Sequence, residues 1–211
     1  MTVRLAAVRI GGDAAAWEAV GFTVDGGAIA LANGAIELAA GPALVVDPTG
    51  ATDPTVAPPG DIEGVAIEAG HAGPGGAHPN GARELDHVVL ITDSLERTSA
   101  AVAGALGLPQ RRIREAGEGD RRVRQAFHRF APAADGTKGC IVEIVESART
   151  PGATALFGLV VIVADLDAVC AELGPDLIGA PKPAVQPGRQ IATLRSAAGL
   201  GAPVAFMTPA A

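Results

Sequence analysis

LDHVVLITDSLERTSAAVAGAL, residues 85–106, and FGLVVIVADLDAVCAEL, residues 157–173, decide how this chain is read. Each opens on an aliphatic, β-branched run, Leu85 to Thr92 and Phe157 to Val163, whose side chains pack well on a pleated surface and so predict a strand. Each run is closed by a polar residue able to cap a helix, Asp93 or Ser94 in the first and Asp165 in the second, and an amphipathic stretch follows to Leu106 and to Leu173. The two stretches superpose without a gap, HVVLITDSLERTSAAV (87–102) over GLVVIVADLDAVCAEL (158–173). A second pair lies downstream, VRQAFHR (123–129) over GRQIATLR (188–195).

Outward from these stretches the same order appears twice. Gly107 ends the first helix, and Ile113 to Glu115, Val123 to Phe130 and Cys140 to Glu146 are predicted strands. In the second copy strands are predicted near Leu177 to Ile178, Gln190 to Arg195 and Pro203 to Met207. Each copy is β-α-β-β-β, and a repeat of about 65–70 residues signals duplication. A curved half-sheet with one helix has an apolar face it cannot cover alone; pairing two copies covers it and leaves a concave surface fit for a ligand. The expected fold class is α+β: modules 84–147 and 156–208 paired in a curved mixed sheet around a pocket, forming one domain over 84–208.

The amino-terminal part reads as a shortened module over 1–46. Leu5 to Ile10 is a strand, Asp13 to Val20 a helix ended by Gly21, and Phe22 to Val24, Ala28 to Leu31 and Ala35 to Leu38 are three brief strands whose sheet edge needs a partner. Trp17 is assigned to the core. Residues 47–83 are dense in Pro, Gly, Asp and Thr and read as a linker, with only Ile62 to Glu68 alternating like a strand.

Composition excludes several classes. A net charge of −7 with pI near 5.0 argues against nucleic acid; the arginines between Arg111 and Arg124 alternate with Glu115, Glu118 and Asp120 as in a solvated hairpin. The longest apolar run, Leu156 to Val163, is far short of the roughly 20 residues that span a bilayer, so no membrane is expected. Asp13 and Glu18 interrupt any leader-like segment, and the expected location is the cytoplasm. Cys140 and Cys170 stand outside any metal or disulfide spacing and are expected as thiols.

LDHVVLITDSLERT, CIVEIVE (140–146) and LFGLVVIVADLDAV (156–169) resemble the vicinal oxygen chelate superfamily, which includes glyoxalase I, extradiol dioxygenases and bleomycin resistance proteins. In its metal-using members, the resemblance implies, a His or Glu on the first strand and a Glu on the fourth strand of each module hold one divalent cation. Carried over by position, these are His87 and Glu143 in the first module; in the second they are Gly158 or Leu159, and Ala205, which cannot bind metal. Glu37, at the fourth-strand position of the amino-terminal segment, is a candidate third ligand. The cofactor expectation is therefore none, or a weakly held divalent metal ion, because affinity follows ligand number. The resemblance also implies a homodimer.

The candidate catalytic residues are Glu143 and His87. A carboxylate flanked by Val142 and Ile144 must face a polar pocket or a cation, since burying it unpaired is costly; Arg124 or Arg189 would pair with it. Arg124, Gln125, Gln186, Arg189 and Gln190 are the candidate substrate-binding set, suited to a carbonyl or carboxylate. His128, Arg129 and Arg195 lie on undecided faces, and His71 and His78 are expected to be solvated. The implied function is a glyoxalase-like protein that binds, and isomerises or cleaves, a small oxygen-rich metabolite between the modules, a lyase, isomerase or dioxygenase if it is an enzyme. The alternative is a non-catalytic small-molecule binding protein of the bleomycin-resistance type.

Overall fold

The computed structural model describes residues 3–48, 60–119, 122–147 and 152–210. Two sheets share a continuous hydrophobic core. The first is built from β1 (Arg4–Ile10), α1 (Ala14–Ala19), β2 (Ala28–Leu31), β3 (Gly34–Leu38), β4 (Ala43–Asp47), β5 (Gly60–Ile62) and β6 (Val65–Ala69), in the order β2-β3-β1-β4-β6-β5. β1 runs parallel to β3 and antiparallel to β4, and β4 runs parallel to β6. The amino-terminal segment thus differs from the expected module. Phe22 to Val24 form no strand: Phe22 turns inward and packs edge-on against the fully buried Trp17, with centroids 5.2 Å apart. Three strands follow in the region read as module end and linker, β4 and the β5–β6 hairpin.

The second sheet carries the two expected modules. The first is β7 (Ala82–Thr92), α2 (Leu95–Leu106), β8 (Arg112–Ala116), β9 (Val123–Arg129) and β10 (Ile141–Ser147); the second is β11 (Ala155–Val163), α3 (Leu166–Leu177), β12 (Lys182–Pro183), β13 (Gln190–Thr193) and β14 (Val204–Met207). The order β12-β13-β14-β11-β7-β10-β9-β8 places the modules back to back, with β7 antiparallel to β11 at the seam. Within each module the last strand returns parallel to the first, β10 on β7 and β14 on β11. This is the paired βαβββ arrangement, α+β in class.

Both helices start as the sequence dictates: Ser94 accepts from Arg97 N and Asp165 from Ala168 N, satisfying donors that a first turn leaves open. α2 ends on Gly107 in the left-handed region (φ 64°), where glycine has no Cβ to clash. α3 runs past Leu173, kinking at Gly174 (φ 70°) and Pro175, so of the strand expected near Leu177 to Ile178, Leu177 is helix and Ile178 makes a single bridge to Leu194, and the short edge strand begins at Lys182. Among the described residues no helix is long and apolar enough to cross a membrane.

Two polar side chains are among the contacts that join the sheets. Asn33, at the β2–β3 turn, donates to Leu85 O and Lys138 O and accepts from Leu85 N, at 2.8, 2.9 and 2.8 Å. Glu63, at φ 51° in the β5–β6 turn, accepts from the hydroxyls of Thr98 and Thr154 and from Arg97. His78, expected in solvent, is tied down instead: Nδ1 accepts from Thr23 N and Nε2 donates to Ala30 O.

Candidate functional site

The site begins with an irregularity in β7. Against β11, His87 pairs with Val160 but Leu85 pairs with Val161, so Asp86 is an extra residue, a β-bulge. On a regular strand neighbouring side chains face opposite ways. Here Leu85, Val88, Leu90 and Thr92 all enter the core, two residues separating the first two, and Asp86 and His87 both emerge on the concave side. Asn33 takes up the backbone N–H and C=O of Leu85 just before the bulge.

His87 is held between two carboxylates: Nδ1 is 2.7 Å from Asp86 Oδ2, and Nε2 is 3.2 Å from Glu143 Oε2. Glu143 reaches this point because the regular alternation of β10 buries Val142 and Ile144 in the core and turns Glu143 to the concave face. Its other oxygen accepts from Gln125 Nε2, and Gln125 Oε1 accepts from Arg114 at 2.6 Å. Arg114 thereby fixes which end of the Gln125 amide faces Glu143.

Asp86 is clamped in turn. Arg189 donates to Asp86 Oδ1 at 2.6 Å, to Thr208 O at 2.8 Å and to Gln186 Oε1, while Gln186 Nε2 lies 3.4 Å from Asp86 Oδ2. Burial by itself pushes the Asp86 carboxyl up. The hydrogen bond and charge of His87, joined by those of Arg189, outweigh burial and bring it down to about 2. Asp86 is therefore ionised at neutral pH and keeps a proton on His87 Nδ1, as a carboxylate behind an imidazole does.

His87, Gln125 and Glu143 line a hollow of about 460 Å³. The part of its opposite wall built by β13 and β14 of the second module is apolar, with Ile191 and Met207 lining it and Val160, Ile162 and Ala205 packed with them. The module registers explain the asymmetry. Glu143 pairs with Val89 as Ala205 pairs with Val160, so Ala205 occupies the glutamate's position. At Gly158, the counterpart of His87, a Cβ would lie 2.2 Å from Pro203 O, so no side chain fits. The second module packs where the first presents polar groups.

This tests the metal expectation on the donor set. His87 Nε2 and Glu143 Oε2 lie 3.2 Å apart, the two second-module positions have no donor, and no group of three or more His, Cys, Asp or Glu suited to a metal occurs among the described residues. With donors at two of the four positions, His87 and Glu143, a divalent cation would be held weakly at most by these residues. Glu37 is not brought to the hollow. It lies on β3 of the first sheet, 3.0 Å from Arg9, which also holds Glu68 at 2.6 Å.

The substrate-binding candidates divide. Gln125 and Gln186 line the hollow. Arg124 does not: with Gln125 facing inward on β9, Arg124 must face outward, and there it pairs with Glu96, Glu115 and Glu146. Arg189 is committed to Asp86 rather than to a ligand, and Gln190 is exposed, its backbone N–H on Thr208. Neither arginine pairs with Glu143. His128 faces the helix side, buried between Ser99 and Leu108 O, and burial holds its imidazole below the usual histidine range. Sequence reasoning missed Asp86, Arg114, and two cations at the hollow's mouth, Arg112 and Lys182. Leu85 and Val88, apolar residues three apart within an alternating strand, were the signal for Asp86.

No protein-family model and no curated protein sequence matches the chain. Among solved structures, a variant of 4-hydroxymandelate synthase from Streptomyces coelicolor superposes with a TM-score of 0.62 at 13% identity, over 99% of this chain and 93% of that one. The chain has the vicinal oxygen chelate fold. Methylmalonyl-CoA epimerases, which share that fold, align over less: the Streptomyces coelicolor enzyme with 2-nitronate-propionyl-CoA over 60% of this chain and 97% of its own (18% identity, TM-score 0.48), and the Mycobacterium tuberculosis enzyme over 62% and 91% (17%, 0.49). At these identities the vicinal oxygen chelate fold is what is shared.

Proposed function

We propose that the protein binds a small carbonyl compound in the hollow and moves a proton on the carbon beside the carbonyl, with Glu143 as base and His87 as acid. The observation that carries this reading is the Asp86–His87–Glu143 chain on the pocket wall. Asp86 keeps Nδ1 protonated, and in the reactive form a second proton sits on Nε2, 3.2 Å from Glu143 Oε2. A bound carbonyl oxygen would take that proton from Nε2 while Glu143 Oε2 removes one from the adjacent carbon. The carbon–hydrogen bond breaks, an enol forms, and Glu143 ends protonated with His87 neutral; return of the proton to either face of the enol gives exchange, isomerisation or epimerisation. Gln125, oriented by Arg114, keeps Glu143 aimed into the hollow. Positioned acid–base groups of this kind contribute about 10²–10⁴ in rate.

The test is hydrogen–deuterium exchange. Carbonyl compounds found to bind are incubated with the protein in D₂O, and loss of the proton signal beside the carbonyl is followed by NMR. Wild type is expected to exchange it, Glu143→Gln to lose exchange while retaining binding, and Asp86→Asn to be slowed. Binding without exchange for every ligand refutes proton transfer and leaves the non-catalytic binding protein.

A further inference from the structure

The eight-stranded sheet curls so far that its two edge strands, β8 and β12, contribute to the same hollow. Each edge brings a cation there, Arg112 from β8 and Lys182 from β12. Neither cation forms an ion pair among the described residues, whereas Arg122 and Arg124 nearby are both taken by carboxylates. Arg112 is instead stacked on Phe127, its guanidinium carbon 4.8 Å from the ring centroid. Stacking holds the guanidinium plane and leaves its N–H donors free for an oxyanion. Lys182 is held in β12 by pairing with Ile191 of β13, and the loop after it is closed by the bond from Ala184 N to Arg189 O.

From Arg112 and Lys182 at the mouth, the apolar wall of Ile191 and Met207, and Glu143 with His87 on the polar wall, we propose that the ligand is an amphipathic organic anion. Its apolar body lies on the second module, its carbonyl meets Glu143 and His87, and its carboxylate or phosphate end sits between the two edge strands. This assignment deepens the proton-transfer reading of the same hollow. It divides the labour among the strands: the central β7 and β10 carry the chemistry and the outermost β8 and β12 select charge.

The two methionines are Met1 and Met207, so a ¹³C-methyl label on Met207 reports occupancy of the hollow with a single competing signal. Octanoate and octanamide are titrated against the labelled protein; they share a chain and differ in charge. Octanoate is expected to bind about tenfold more tightly at low salt, the preference shrinking as ionic strength rises. Arg112→Gln/Lys182→Gln should bring the acid-to-amide ratio close to one, and Arg122→Gln, which removes a cation paired with Glu115 outside the hollow, should leave the ratio intact. Equal affinities in wild type, a ratio that survives the double variant, or shifts that spare Met207 would overturn the assignment. Anion preference without deuterium exchange in any bound carbonyl compound refutes the proton-transfer reading alone; exchange without anion preference refutes this one alone.

Discussion

Replacing Asp86 by Asn tests the clamp from which the site is built. The carboxyl lies at about 2 against an ordinary value of 3.8, and at 1.36 kcal/mol per unit the difference stabilises the folded state by about 2 kcal/mol at neutral pH. Because the folded value is depressed, that stability is complete above pH 4 and is lost as pH falls towards 2. The substitution also strands Arg189, whose side chain is 7% exposed and whose charge is paired with Asp86. Removing one partner of a buried pair costs about 3–5 kcal/mol. Urea denaturation at pH 7 should therefore show a loss of about 3–5 kcal/mol in Asp86→Asn, and the gap from wild type should narrow by about 2 kcal/mol between pH 4 and pH 2. Adding Arg189→Met removes the stranded charge and should recover part of the loss. A loss below about 1 kcal/mol at pH 7, or curves that run parallel from pH 4 to 2, would show that Asp86 is not the ionised anchor of His87.

Other substitutions probe the supports. Asn33→Ala leaves the Leu85 N–H and C=O without their buried partner and should cost about 2–3 kcal/mol while weakening ligand binding; unchanged unfolding and binding would detach the first sheet from the site. Gly158→Ala drives a methyl into Pro203 O and should cost about 1–3 kcal/mol in thermal or urea unfolding, with a neutral result contradicting the closed second-module position. Glu63→Ala removes the acceptor for Thr98 and Thr154 and should cost about 1–3 kcal/mol, Glu63→Gln less; equal losses would show that a neutral acceptor oxygen cannot stand in and that the charge carries the whole effect. His128, held below its ordinary 6.5 by burial, favours the neutral form in the fold, so stability should fall as pH drops through 6.5, and His128→Gln should flatten that slope in a pH series of urea titrations.

The two modules were legible because their strands and capped helices are strongly periodic and recur in register, and the face of Glu143 followed from its apolar neighbours Val142 and Ile144. What sequence could not show were contacts that depend on a break in period. Asp86 should face away from His87 on a regular strand, and only the bulge turns it around. Arg124 beside Gln125 could not share its face, yet a list by residue type placed both on the pocket. The alternation of Ile62 to Glu68 announced β6, but β4 and β5 were obscured for another reason: short strands bounded by Gly and Pro become sheet only by pairing with their neighbours, a long-range condition that local pattern does not carry.

The bulge at Asp86 has a twin. In β1 the pairing with β4 skips Ala6 between Leu5 and Ala7, so RLAAVRI (4–10) repeats the frame of ELDHVVL (84–90) with two alanines where the second sheet has Asp and His. The slot in the backbone is thus independent of the side chains that fill it: one inserted residue shifts the phase of a strand, spares the core positions on either side, and offers two adjacent positions to one surface. Within a single chain the same scaffold holds one inscribed copy and one blank, which is how a duplicated fold can gain or lose chemistry at two positions while its interior stays as it was.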